Sequence, residues 1–202
     1  MNRVEEKEAY LVLQCLWQDF SNNFYSSESP DLKNDIDNVG IEITQSTIDI
    51  KNRISYLSNK IKLKPNKASK PNLEIITFYD KDNLYEDYEH SDDMELHKQE
   101  LTDEIIQKTK DIIATKIEKF NNNYSRYKTN GLFVFIRNYE IGEISINDIC
   151  QFFNTEQVDK TYKFDILFLH DIEQLYIYHF SNKKLETIPI DDDTKNIIYN
   201  FL

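Results

Sequence analysis

Two acidic residues stand where they could share a cation. Asp31 follows Pro30 ahead of a turn-forming stretch, Asp35 to Asn38, and Glu42 lies on the returning segment Val39-Gly40-Ile41-Glu42-Ile43-Thr44. That segment alternates strictly. Val39, Ile41 and Ile43 point one way and Gly40, Glu42 and Thr44 the other, the period-2 pattern of a half-buried strand. A hairpin of this length brings two carboxylates within reach of one hard cation. Thr44, on the strand face of Glu42, and the backbone carbonyl of Ile43 then lie close to it. Magnesium takes one or two carboxylates together with water and phosphate oxygens. It lowers the pKa of a bound water and stabilises charge on a phosphate in transfer. A glutamate buried in an apolar strand is costly unless it is paired or metal-bound. The plain alternative is a turn aspartate and a solvent-facing strand glutamate.

Charge is distributed unevenly around this pair. The 202-residue chain carries a net −12, a poor starting point for binding nucleic acid. Yet Lys51 to Asn72 contains no acid and seven cations: Lys51, Arg53, Lys60, Lys62, Lys64, Lys67 and Lys70. Such an island can neutralise several phosphates, or it can be a solvated helix end and loop. Asp80 to Glu100 reverses the sign, with nine acids and two lysines. It reads as an acidic solvated loop or insertion at 80–100 within one domain spanning 1–202.

The elements that must position the pair follow from periodicity. Ala9, Leu13, Leu16 and Phe20 keep a 4-3-4 spacing, which predicts a helix from about residue 3 to 22. Ile50, Ile54, Leu57 and Ile61 repeat that spacing, with Ser46 and Asp49 as a capping-box-like start. Leu73 to Tyr79 reads as a strand. Leu101 to Asn122 is a long helix with an Ile105, Ile112, Ile113, Ile117, Phe120 stripe. Gly131 to Arg137 is a near-continuous apolar run, as in strands buried on both faces. A short helix over 146–153, strands over 164–170, 174–180 and 185–190, and a closing helix complete an α/β (or α+β) chain with a central mixed sheet flanked by helices.

Composition excludes several classes. Three isolated glycines, Gly40, Gly131 and Gly142, cannot write a dinucleotide or P-loop fingerprint. The two cysteines, Cys15 and Cys150, form neither a disulfide framework nor a metal knuckle, and read as small buried residues in a reducing compartment. Met1 to Glu8 has no apolar signal segment, and no apolar run is long enough for a membrane span. The expectation is a soluble cytoplasmic protein. His90, His97, His170 and His179 read as loop or structural histidines. Tyr176, Tyr178 and Phe180 share a strand face, which suits a covered sheet face better than a base-stacking row. Trp17 reads as a core anchor.

Ser29-Pro30-Asp31 followed by Val39-Gly40-Ile41-Glu42-Ile43-Thr44 resembles the PD-(D/E)XK nuclease superfamily, which includes restriction endonucleases and Holliday-junction resolvases. The resemblance covers about 60 N-terminal residues, with a looser likeness at 132–137 and 164–169. It implies a restriction-endonuclease-like core of helix, three strands, helix, strand. It implies Asp31, Glu42 and the Ile43 carbonyl as ligands of Mg2+ or Mn2+. A first-helix glutamate often adds to such sites, with Glu5, Glu6 and Glu8 as candidates and Glu8 preferred. The family's lysine, two residues after the glutamate, is Thr44 here. Gln45, Lys51 or Lys33 stand in as replacements.

On this reading the chain is a metal-dependent phosphodiesterase acting on DNA, with Lys51, Arg53, Lys60, Lys62 and Lys64 holding the backbone. A homodimer would suit a duplex cutter. The alternatives are a degenerate nuclease fold that binds nucleic acid or a protein without cutting, and an acidic interaction protein that mimics DNA.

Overall fold

The computed structural model of the chain describes residues 4–46, 92–122, 124–136, 142–171 and 173–200. The chain divides into two compact units, one comprising Met1–Ser46 and Ile106–Leu202, the other Thr47–Ile105. Of the second unit only 92–105 is described. The expected helix after Ser46, the strand over 73–79, the basic island and the first half of the acidic stretch lie outside the described residues.

The elements run α1 (Val4–Leu16), β1 (Tyr25–Ser26), β2 (Leu32–Asn34), β3 (Val39–Ser46), α2 (Asp92–Asn122), β4 (Thr129–Ile136), α3 (Glu143–Gln157), β5 (Ile166–His170), β6 (Gln174–His179), β7 (Lys184–Pro189) and α4 (Asp192–Asn200). The seven strands form one mixed sheet in sequence order. β3, β4 and β5 are parallel, and every other neighbouring pair is antiparallel. Parallel neighbours need a crossover. The connections from β3 to β4 and from β4 to β5 contain α2 and α3.

Alternation sends the side chains of β3–β6 to two covered faces. One face buries Ile41, Ile43, Phe133, Phe135, Phe168 and Ile177 with Ala9, Val12 and Leu13 of α1 and Ile198 of α4. On the other, Phe120 of α2 stacks on Phe164 with 4.4 Å between ring centroids, and Phe153 of α3 meets Tyr178 edge-on at 6.3 Å. The tyrosine row is therefore a covered sheet face: Tyr176 and Tyr178 are buried, and Tyr178 packs against Phe153 of α3. β3 is buried on both faces along Gly40–Ile43 rather than half-buried, because it lies inside the sheet between β2 and β4 and the parallel part is roofed on both sides.

Two boundaries and one burial differ from the sequence expectation. α1 stops at Leu16 instead of running to Asn22. The aromatic spacing that mimics helix there is a turn, in which Trp17 packs edge-on against Phe168 at 5.0 Å and Phe20 stacks on Phe24 at 4.5 Å. α2 begins at Asp92, so the second half of the acidic stretch is helix rather than loop. Cys150 is buried as expected, but Cys15 is exposed. No helix among the described residues is long and apolar enough to cross a membrane.

Candidate active site

The hairpin of β2 and β3 sets Asp31 against Glu42. Its register pairs Asn34 with Val39, Lys33 with Gly40 and Leu32 with Ile41. One further step puts Asp31 opposite Glu42, on the same sheet face. The turn is fixed by the fully buried Asn34. Its Oδ1 accepts the N–H groups of Ile36 and Asp37, both at 3.0 Å, and its Nδ2 donates to Ser21 Oγ at 2.7 Å and Asp37 Oδ2 at 2.6 Å. Asn38 closes the turn at φ 56°, a left-handed conformation that asparagine tolerates.

Both carboxylates are buried, Glu42 at 4% exposure and Asp31 at 9%. Asp31 Oδ2 accepts the backbone N–H of Ile43 at 2.8 Å, which locks the aspartate to the strand that carries the glutamate. Next to them, Gly40 is packed so closely that a Cβ would stand 2.6 Å from Tyr127 Cδ2 and 2.7 Å from Pro30 Cγ. Glycine is required there, and the Pro30–Gly40–Tyr127 contact holds the approach to Asp31.

Sequence reasoning missed two members of the site. Lys116, on α2, places Nζ 3.6 Å from Glu42 Oε2. Its ammonium also donates to the Tyr124 hydroxyl at 3.5 Å and lies 5.8 Å from that ring's centroid. One signal for Lys116 existed: it sits beside Ile113, Ile117 and Phe120 on the buried side of α2, where a lysine breaks an apolar stripe. Tyr124 follows a run of asparagines and carried no signal.

The electrostatics follow from this packing. Burial pushes the Glu42 carboxyl up to about 7; the Lys116 ammonium opposes the shift and the Asp31 carboxylate adds to it. Burial also raises the Tyr124 phenol, reinforced by the charge of Glu42. Glu42 Oε2 is buried and makes no hydrogen bond. A carboxylate pair with a buried, unbonded oxygen is a donor set that a hard divalent cation fits.

The other expected site residues fall as follows. Thr44 is half-buried on the Glu42 face of β3, whereas Gln45 is exposed and alternates to the opposite face. Lys33 is on the Asp31 face, but its ammonium lies 4.0 Å from Asp35 Oδ2 and 5.0 Å from the Tyr25 ring centroid. Glu6 and Glu8 are buried on α1, and Glu6 Oε2 accepts the Ser26 hydroxyl at 2.6 Å. Among the described residues no three His, Cys, Asp or Glu side chains are grouped to hold a metal ion, so Glu8 does not complete a set with Asp31 and Glu42. Lys51, Arg53, Lys60, Lys62 and Lys64 lie outside the described residues.

A small cleft opens on this centre, lined by Pro30, Gly40, Glu42, Tyr124 and Ser125. The arrangement can hold a cation between two carboxylates, or move a proton through a carboxyl that titrates near neutrality. The Tyr124 phenol that lines the cleft accepts a hydrogen bond from the Lys116 ammonium. No protein-family model matches the chain, and no curated protein or solved structure is significantly similar to it.

Proposed function

We propose that the chain is a metal-dependent phosphodiesterase of the PD-(D/E)XK kind that cuts DNA at the Asp31–Glu42 centre. The observation that carries this reading is Lys116 beside Glu42. The chain has Thr44 where the motif expects lysine, and Lys116 brings a cation to the glutamate from a helix instead. The antiparallel run β1–β2–β3, followed by β4 parallel to β3, supports the same reading.

In this mechanism Asp31, Glu42 and the Ile43 carbonyl would hold Mg2+ or Mn2+, which would neutralise charge at the phosphate and lower the pKa of water. Asp31 is oriented by the Ile43 N–H. The Lys116 ammonium, 3.6 Å from Glu42 Oε2, would offset the charge that develops at the phosphate in the transition state. Tyr124 accepts a hydrogen bond from that ammonium and fixes its direction. The raised Glu42 carboxyl gives up its proton near neutrality, when it must bind as a carboxylate.

The test is cleavage of plasmid, branched and single-stranded DNA in Mn2+ and Mg2+, comparing wild type with Glu42→Ala and Lys116→Met. The reading requires metal-dependent cutting that both variants lose. An absence of cutting with retained, salt-sensitive DNA binding would turn the reading to the degenerate binding module. An absence of DNA affinity would turn it to the acidic interaction protein.

A further inference from the structure

We infer that the loop 124–128 is the arm of this site that grips the nucleic-acid backbone, with Arg126 as a preorganised phosphate clamp and Lys128 beside it. The inference rests on the nuclease reading and adds binding residues that the motif does not specify.

The first argument is ion pairing. In an acidic chain, lysine ammoniums are readily claimed by carboxylates. Lys110 pairs with Asp148, Lys116 with Glu42, Lys160 with Glu118, Lys184 with Glu186 and Lys195 with Glu173. Arg126 and Lys128 are exposed, and among the described residues neither has a carboxylate within ion-pair distance. These cations remain available to an external anion.

The second argument is preorganisation. The Arg126 guanidinium lies 3.4 Å from the centroid of the Tyr162 ring. Stacking of this kind fixes the plane, and Arg126 Nη2 also donates to the Asn121 carbonyl at 3.5 Å, so the group is held at one end while its remaining N–H groups are left for phosphate. The platform is itself held: Asn121 Nδ2 donates to the Tyr162 carbonyl at 2.9 Å, and Asn121 Oδ1 accepts the Tyr162 N–H at 3.0 Å. The far end of the loop is pinned by Asn130, which exchanges hydrogen bonds with the Tyr127 backbone at 2.8 and 2.9 Å. Little side-chain entropy is left to lose on binding.

The third argument is reach. Tyr124 and Ser125 line the cleft with Glu42, and Tyr127 packs on Gly40. Arg126 lies between them. Two residues of extended chain span about 7 Å, and each DNA strand carries a phosphate per about 3.4 Å of axis. The Arg126 backbone therefore lies within about 7 Å of a cleft-lining residue, near enough for its side chain to meet the strand that enters the cleft.

The experiment is fluorescence anisotropy of a labelled DNA duplex with the full chain, titrated in salt, with Ca2+ in place of Mg2+. Arg126→Gln keeps a planar end over Tyr162 and removes the charge. It should bind roughly threefold to tenfold more weakly at low salt and flatten the log–log salt slope by about one. Adding Lys128→Gln should flatten it by about one more. Arg126→Lys should restore the slope, which a purely structural role for Arg126 would not do. Lys183→Gln, at the exposed β6–β7 turn, changes net charge equally and should leave the slope at the wild-type value. If Arg126→Gln keeps the wild-type slope, the clamp is wrong while the nuclease reading stands. If the wild type binds no DNA, both fall.

Discussion

Lys116 Nζ stands 3.6 Å from Glu42 Oε2 although 73 residues of chain lie between them. The pair is asymmetric. Glu42 is buried and raised by burial, and Lys116 limits that rise. Replacing Lys116 by methionine should therefore push the Glu42 carboxyl higher still, whereas Lys116→Arg should leave it close to its wild-type value. Titration of the Glu42 side chain by 13C NMR in the three proteins measures this directly. An unchanged midpoint in Lys116→Met would mean that the ammonium does not act on the carboxyl.

Glu42 also makes stability depend on pH. An acid whose folded pKa lies above its unfolded value binds more protons when folded. Stability is then lost as pH rises from about 4.5 through about 7. Glu42→Gln removes that penalty. Urea unfolding should show the variant more stable than wild type by about 1–3 kcal/mol at pH 8 and nearly equal at pH 4.5. A variant less stable at pH 8 would show that the ionised carboxylate is stabilised by its neighbours.

Metal binding should compete with the same proton. Below about 7 the carboxyl is protonated, and a ligand must be deprotonated to bind. Mn2+ affinity by isothermal titration should therefore weaken by about tenfold per pH unit in that range, and Glu42→Gln should abolish both the binding and its pH dependence. Binding of equal strength at pH 6 and pH 8 would remove Glu42 from the ligand set.

Gly40→Ala tests the packing that supports Asp31. The added methyl meets Tyr127 and Pro30 well inside contact distance, which should cost about 1–3 kcal/mol. Tyr127→Ala in the same chain should recover part of that loss. Thermal unfolding of the single and double variants gives the coupling, and simple additivity would show that Tyr127 yields without strain.

Asn34→Ala should be as costly as a core truncation, although it removes only an amide. Asn34 satisfies two backbone N–H groups and ties the turn to Ser21 and Asp37. Losing a buried network of this size costs about 1–3 kcal/mol. Urea midpoints measure it, and a change below 0.5 kcal/mol, the size of an ordinary surface effect, would show that the turn forms without the amide.

Much of the fold was legible because local pattern and tertiary role agree. Val39 to Thr44 alternates and is a strand; Leu132 to Ile136 is uniformly apolar and is buried on both faces. The sequence misled where one spacing fits two structures. Leu13, Leu16 and Phe20 keep helical intervals, but Trp17 turns into the core against Phe168 and ends α1 early. Asp31 and Glu42 were visible as a pair because a hairpin is local. Lys116 and Tyr124 were not, since they meet Glu42 only through the crossover that lays α2 over β3, and a single chain's spacing does not encode such a contact.

The two borders of the sheet bear on how copies of the protein meet. β1 is two residues long, and β7 carries the Lys184–Glu186 ion pair and ends at Pro189. Short, charged and proline-terminated borders are poor templates for adding a foreign strand. The described sheet is thus guarded against templated fibre growth at either side.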